Sequence, residues 1–470
     1  MLAAAALVVA LPASAGARTV YTLTGHGWGH GIGMSQYGAL GYALHGYSYG
    51  QILTHYFSHT RLAPVSQGVS ERVLMESGRT AVDVASAGQI TIVDEATGAK
   101  TSIPAGEYRV RYGTTPGKLQ VASRVSGATV VPQLTGPVRV LPTTDPLRLD
   151  DATGMGWSGD HWNGWFRVIP DSARKRLDCV NVVPMEHYLR GVVPAEVPSS
   201  WPTAALRTQA VASRSYAYAT RNPGGEYDAF SDTRSQAYSP IEHEATSTDA
   251  AVRDTRYRVV WYGGSIATTF FSSSSGGRTS SEQASWGSSS GEPYLVPVSD
   301  PFDRAMGRNP NHTWAPRAYT ATGLARLFGY TSPVGSIDET IDPASRRELT
   351  LTLHTAAADR VLSGPAAQIR AGLRSTYFRV LQTTLKVSSH AIRRGTSIIV
   401  SGRVWPRPSS RVSLLRRSSA STAWTVSVDH LPLTADGRFA VRLRPSSNRQ
   451  YRLLLRTGAI SPVVSVQVAG

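Results

Sequence analysis

The rhythm of apolar and polar residues changes repeatedly along this chain, and each change marks a different kind of element. Leu2 to Ala15 is almost wholly apolar and ends in Ala13-Ser14-Ala15, the small-x-small pattern that signal peptidases cut. It is too short to cross a bilayer comfortably, so residues 1–15 are expected to be a secretory leader. No Lys or Arg precedes Arg18, which predicts a true start upstream of Met1. From Met34 to Leu44 and from Ser48 to Phe57 the spacing is helical, with Ile52, Leu53, Tyr56 and Phe57 on one face. From Glu71 to about Val168 it becomes short alternating runs: Val73-Leu74-Met75, Ile90-Thr91-Ile92, Tyr108 to Tyr112, Leu119-Gln120-Val121 and Val138-Arg139-Val140. In the third run Tyr108, Val110 and Tyr112 share one face, and Arg109 and Arg111 the other. Gly, Pro and Asp turns separate the runs, which predicts antiparallel strands.

Between Pro184 and Tyr218 helical spacing returns. Met185, Tyr188, Leu189 and Val192 fall three and four apart, Pro184 suits the first turn, and Gly191 weakens the end. Val192 to Pro198 then reads as an extended apolar run, because Pro194 and Pro198 do not belong inside a helix and push their predecessors towards extended conformations. Ser199 or Ser200 is predicted to cap the next helix, with Pro202 in its first turn and its end near Tyr218. A short helix over Thr246 to Thr255 and a strand over Val259 to Tyr262 follow. Ser265 to Gly287 reads as a strand ending in a loop of Ser and Gly. From Leu385 onward alternating pairs and triples give six or seven short strands, with Asp436-Gly437 as a hairpin turn. That pattern predicts an immunoglobulin-like sandwich over 385–470. The expected fold class is α+β, with a β-rich part at about 71–170 and a helical core at about 177–300 inside a domain spanning 16–380.

Composition narrows the picture. At 41% hydrophobic and 17% charged, the chain is globular, and its 470 residues suffice for two or three domains. The single cysteine, Cys179, excludes an intramolecular disulfide framework; in the probable strand Leu177 to Val183 it reads as a small buried thiol. The net charge of +16 asks for an anionic partner, and its Arg residues read as scattered over the whole length. Without zinc-finger spacing, an RNA-recognition signature or a Lys/Arg block, nucleic acid is not the expected partner. No further apolar stretch suggests a transmembrane anchor. An exported chain would meet the cell wall, whose carboxylates and polymer phosphates are anionic.

One residue stands out for chemistry. Glu196 is the lone carboxylate among Val, Ala and Pro, so desolvation should raise its pKa, which suits a general acid that cleaves glycosides. A solvated loop Glu is the structural alternative. Residues 25–39 carry Gly at 25, 27, 29, 31 and 33, which rules out an ordinary helix. Two readings stand there: a glycan-facing loop in which His26, Trp28 and His30 stack or hydrogen-bond, and a tight structural turn. A metal site is not expected, since no Asp, Glu or Cys is near. The hydroxyl-rich loop with Ser274, Ser275, Gly276 and Thr279 offers a sugar site or a polar surface loop; it lacks the elbow of a serine nucleophile. Glu282 is a second carboxylate with nothing to recommend it. The Trp-rich stretch Gly156 to Phe166 is expected to be mostly core.

The sequence VPMEHYLRGVVPAEVPSSWPTAALRTQAVASRSYA closely resembles the signature of the SpoIID/LytB family of bacterial cell-wall proteins. Gly25 to Ala39 resembles the family's Gly-His-Gly-x-Gly-Met-Ser-Gln-x-Gly-Ala motif, placed here at the opening of the chain as in a circular permutation; that requires the two ends of the domain to lie close. Ser274 to Thr279 and Pro297 to Asp303 extend the likeness to roughly residues 20–380. The resemblance implies a peptidoglycan lytic transglycosylase, with Glu196 as the catalytic residue. It also implies a glycan groove that includes Arg207, Gln209, Arg214, His26, Trp28, His30, Gln36 and the Ser274-Ser275-Gly276 loop with Thr279. A non-catalytic enhancer of a cell-wall amidase is the alternative the family allows. Some relatives hold zinc near residues 227–243, but Ser235 stands where a Cys would, so neither zinc nor another cofactor is expected.

Overall fold

The computed structural model describes residues 18–66, 69–150, 160–288, 291–408, 411–455 and 461–469. The expected leader and Trp157 lie outside them. The chain forms two compact units. A medial unit holds Ile32–Ser272 and Glu292–Arg308, and a terminal unit holds the residues up to Gly31, Ser273–Gly291 and Asn309 onward.

In the medial unit, helices α1 (Gln36–Leu44) and α2 (Tyr49–Tyr56) start where a serine can cap them. The Ser35 hydroxyl accepts from the Gly38 amide, and Ser48 forms a reciprocal capping box with Gln51. Met34-Ser35, expected to be helical, is instead a short strand parallel to Phe271-Ser272. The alternating region folds into antiparallel strands as its pattern predicts. A seven-stranded sheet runs in the order 229–230, 70–79, 176–184, 165–171, 138–142, 90–94 and 100–103; a six-stranded sheet carries 129–134, 119–123, 106–112, 81–86, 147–149 and 161–162. Tyr108 and Val110 are buried while Arg109, on the other face, forms a bidentate pair with Asp83. Cys179 is fully buried, and burial pushes its thiol well up.

Three more helices pack on these sheets: α3 (Met185–Glu196), α4 (Thr203–Ala219) and α5 (Thr246–Asp254). Tyr188, Leu189, Val192 and Val193 of α3 enter the same core as Val82, Val110, Phe166 and Leu177. This packing overrules the expected extended run. Pro194 lies inside α3, and the ladder resumes past it where the Val197 amide donates to the Val193 carbonyl at 3.1 Å. Pro194 removes one helical hydrogen bond near the end of the helix, a cost that burial of two valines at about 1.5–3 kcal/mol each offsets. Pro184 and Pro202 both stand at N-cap positions, one residue before the helix, so neither Ser199 nor Ser200 caps α4.

Gly191 has a different role from the expected weak end: it sits within α3 because another segment passes over it. A Cβ there would meet the Ser239 carbonyl oxygen at 2.4 Å and the Tyr238 ring at 2.7 Å. Ala improves an exposed helix by about 1 kcal/mol over Gly. Here Gly191→Ala is expected to lower stability by about 1–3 kcal/mol through overpacking. A urea midpoint that rises or stays put would show that the contact is not tight.

In the terminal unit, a five-stranded sheet has the order 317–319, 18–25, 378–387, 398–405 and 438–443, and a second carries 391–393, 464–469, 449–455, 412–417 and 425–428. The strand 18–25 pairs antiparallel along 378–385, with Tyr21 opposite Gln382, so the segment that opens the chain does lie beside residues near 380. The strand Phe378–Val387 runs unbroken through the expected junction at 380–385. Leu385, Val400 and Phe439 of the first sheet and Leu414, Tyr451 and Leu453 of the second share one core. Asp436-Gly437 does not close the expected hairpin: Thr425–Val428 and Arg438–Leu443 belong to different sheets, and the turn feeds the chain from one to the other. Ser265 to Ser272 likewise forms two short pieces, Ser265–Ile266 and Phe271–Ser272, and no continuous strand.

Two buried carboxylates stand on adjacent strands here. Glu348 is fully buried, and Arg379 lies 3.8 Å away. Glu339 accepts the Val380 amide at 2.8 Å. Burial, then the charge of Glu339, pushes Glu348 far above the usual carboxylate range; burial also raises Glu339. The folded state therefore keeps protons that the unfolded chain has released, and stability falls as pH rises above the ordinary Glu range. Glu348→Gln is expected to flatten that fall between about pH 5 and pH 9. Melting temperatures of variant and parent that stay parallel across this range would refute the buried-acid account.

Candidate active site

Glu196 is the last residue of α3, and the helix aims it. The carboxylate is half-buried. One oxygen, Oε1, accepts the Ala237 amide at 2.8 Å; the other, Oε2, accepts Gln36 Nε2 at 3.0 Å. The same Gln36 nitrogen reaches the Glu196 carbonyl at 3.3 Å. Burial is the strongest influence and raises the pKa; the two donors oppose it and lose. The negative end of the helix dipole works in the same direction as burial. Among the described residues no basic side chain forms an ion pair with Glu196. The site thus holds a carboxyl inclined to keep its proton, with donors ready for the carboxylate once the proton leaves.

Gln36, expected to meet substrate, holds Glu196 through its Nε2. Behind Ala237 stands a second relay. Gln236 Nε2 donates to the Ser213 carbonyl at 3.3 Å, and Gln209 Nε2 donates to the Ser213 hydroxyl at 3.0 Å. Gln209 and Gln236 are both buried, so α4 fixes the segment that presents the Ala237 amide.

The two arginines of α4 part company. Arg207 is half-buried and pairs with Asp254 at 2.6 Å. Arg214 is fully buried, and its fork grips Glu186, Nε to Oε1 at 2.9 Å and Nη2 to Oε2 at 2.7 Å. It also donates to the Val252 and Arg258 carbonyls. Glu186 is in the first turn of α3, ten residues before Glu196, or about 15 Å along the helix. The structure therefore uses Arg214 to clamp α4 to the far end of the helix that carries Glu196.

The remaining expected residues belong to the terminal unit. Gly27 and Gly276 both have φ of +74°, and the Trp28 and Ser274 backbones pair between them. A Cβ on Gly27 would meet the Ser274 carbonyl at 2.6 Å, and one on Gly276 the His26 Cβ at 2.5 Å, so both positions demand Gly. The hydroxyl residues Ser274, Ser275 and Thr279 are buried; Ser274 Oγ accepts from Asn309 at 2.9 Å and Ser275 Oγ from the Gly277 amide at 3.0 Å. The aromatics face outward. Trp28 is 49% exposed with the Arg374 guanidinium 4.9 Å from its ring; Trp286 is 45% exposed beside His30. His26 packs against Tyr377. Among the described residues no group of three His, Cys, Asp or Glu could hold a metal ion.

Sequence reasoning missed Ala237, whose contribution is a backbone amide with no side-chain signature, and Glu186. The second was findable: a buried Arg needs a carboxylate, and Glu186 is the acidic residue of the first turn of α3.

Comparison with known proteins gives a narrower match than the motifs. A family model described as SpoIID, Stage II sporulation protein, covers residues 173–262. An uncharacterised protein of Brachyspira hyodysenteriae is 36% identical over 145 residues, 30% of this chain and 38% of that protein. The amidase enhancer of Bacillus subtilis is 37% identical over 120 residues, 25% of this chain and 16% of that protein. Stage II sporulation protein D of the same organism is 27% identical over 179 residues, 34% of this chain and 50% of that protein. The matched stretches span half or less of these relatives.

Proposed function

We propose, from a chain that belongs to the SpoIID/LytB family through residues 173–262, that it remodels the cell wall as an exported lytic transglycosylase acting on peptidoglycan glycan strands. The observation that carries this reading is Glu196 itself: half-buried, raised in pKa, and held by Ala237 and Gln36. In the first step the Glu196 carboxyl gives its proton to the glycosidic oxygen between N-acetylmuramic acid and N-acetylglucosamine, and the bond from that oxygen to the muramyl anomeric carbon breaks. Ala237 and Gln36 then stabilise the new carboxylate. In the second step the carboxylate takes the proton of the muramyl 6-hydroxyl, whose oxygen bonds to the anomeric carbon. The product is a 1,6-anhydro sugar, no water is consumed, and one carboxylate serves both steps, unlike hydrolysis by a pair. The exposed Trp28 and Trp286 suit stacking on sugar rings. Residues 385–470 serve as an immunoglobulin-like module of the same exported chain.

The likeness to an amidase enhancer supports a second reading, in which the chain holds glycan uncut and assists an amidase. Product analysis separates the two. The full chain, incubated with peptide-free glycan strands and with intact sacculi, is expected to generate anhydro-muramyl ends detectable by mass spectrometry. Binding with no new ends on either substrate would overturn the enzyme reading. New reducing ends would replace it with hydrolysis.

A further inference from the structure

Charge is not spread evenly along the chain. Residues 385–470 hold fourteen Lys and Arg against Asp429 and Asp436, a net +12 of the chain's +16, which corrects the scatter read over the whole length. The fold sorts part of this charge onto one surface. In the sheet containing Phe378–Val387, Ile398–Trp405 and Arg438–Leu443, the residues Leu385, Ile398, Val400, Val404 and Phe439 enter the core. Alternation places Lys386, Arg403, Arg438 and Arg442 on the opposite face. These three strands carry no carboxylate. Asp436, in the turn before the third strand, binds Arg438 at 3.1 Å, and its backbone carbonyl accepts from Arg403 Nε at 2.8 Å. Arg403 and Arg438 stand directly opposite each other across the strand pair, a like-charge pairing that the single carboxylate of Asp436 beside them offsets only in part, since one negative charge faces two positive ones.

We propose that this sheet face binds a linear polyphosphodiester of the cell wall, of the poly(glycerol phosphate) type. Guanidinium forks match phosphate oxygens, and a row of them fits a polymer with a charge on every repeat. Single-stranded nucleic acid fits less well, because it binds through successive aromatic platforms. Of the aromatic residues on this side of the three strands, Phe378 is buried in a neighbouring core and Trp405 is half-buried, with the Arg403 guanidinium already 4.5 Å from its ring. The choice of a wall polymer rests on the cell-wall reading above; the cationic face does not.

The test titrates the full chain with poly(glycerol phosphate) across a range of salt. Each phosphate contact contributes about 0.7–0.9 to the slope of log affinity against log salt. The variant K386Q/R403Q/R438Q/R442Q is expected to lose about 3 from that slope and more than tenfold in affinity at low salt. A second variant, R403K/R438K/R442K, is expected to keep the slope, which separates loss of charge from loss of fold. An unchanged slope in the Gln variant would overturn the proposal, as would tighter binding to single-stranded DNA of equal phosphate number. The polymer contains no muramyl bond, so the outcome is independent of whether Glu196 cleaves glycan.

Discussion

Glu196→Gln is expected to abolish anhydro-end formation while leaving a folded protein that still binds glycan strands. Gln keeps the shape of the carboxyl and can still engage Gln36 and the Ala237 amide after an amide flip, yet it can neither give nor take the proton. Proton transfer by a positioned side chain contributes about 10²–10⁴-fold, and here one group serves both steps, so the loss should lie at the upper end of that range. The pH dependence follows from the environment. Burial raises Glu196 above its ordinary range, and the acid form is needed for the first step, so activity should fall as pH climbs through that raised pKa. Gln36→Ala removes a donor that favours the carboxylate. It should shift this alkaline limb upward as well as slow the reaction. Retained cleavage in Glu196→Gln, or an alkaline limb that Gln36→Ala leaves in place, would remove Glu196 from the chemistry.

Arg214→Ala is expected to have the largest effect on stability, about 3–5 kcal/mol, because it strands Glu186 as an uncompensated carboxylate beneath α4. Arg214→Lys should recover only part of this, since an ammonium cannot reproduce the two-pronged grip or reach the Val252 and Arg258 carbonyls together. Replacing both partners by apolar residues of similar volume, Arg214→Met with Glu186→Leu, should be far milder than either single change. Denaturant midpoints of the parent and of these variants test this directly. If Arg214 instead oriented glycan, Arg214→Lys would raise KM and leave the midpoint unchanged. That pattern would return Arg214 to the substrate groove.

Much of the fold could be read from alternation and spacing. The antiparallel runs between Glu71 and Val168, the helices α1, α2, α4 and α5, and the succession of strands after Leu385 all follow local rules that neighbours reinforce. The errors cluster where tertiary contact opposes a local rule. Pro194 should end a helix, but Val192 and Val193 are held in the core and α3 continues through it. Gly191 resembles a helix end, but the segment at Tyr238 and Ser239 needs its missing Cβ. Asp436-Gly437 resembles a hairpin turn, but its flanking strands join different sheets.

The candidate site divides in the same way. The sequence by itself determined that Glu196 lies in apolar company, that the Gly-rich opening is not a helix, and that the chain carries a large positive charge. Those facts depend only on residue type and close neighbours in the chain. The tertiary structure decided which groups meet: Gln36 and the Ala237 amide on Glu196, Glu186 on Arg214, and Trp28 outside while Ser274 and Ser275 are inside. Gln36 is separated from Glu196 by 160 residues and Ala237 by 41, so no local pattern encodes either contact. The pKa of a carboxyl depends on what surrounds it in space, and that is fixed only when the whole core has packed.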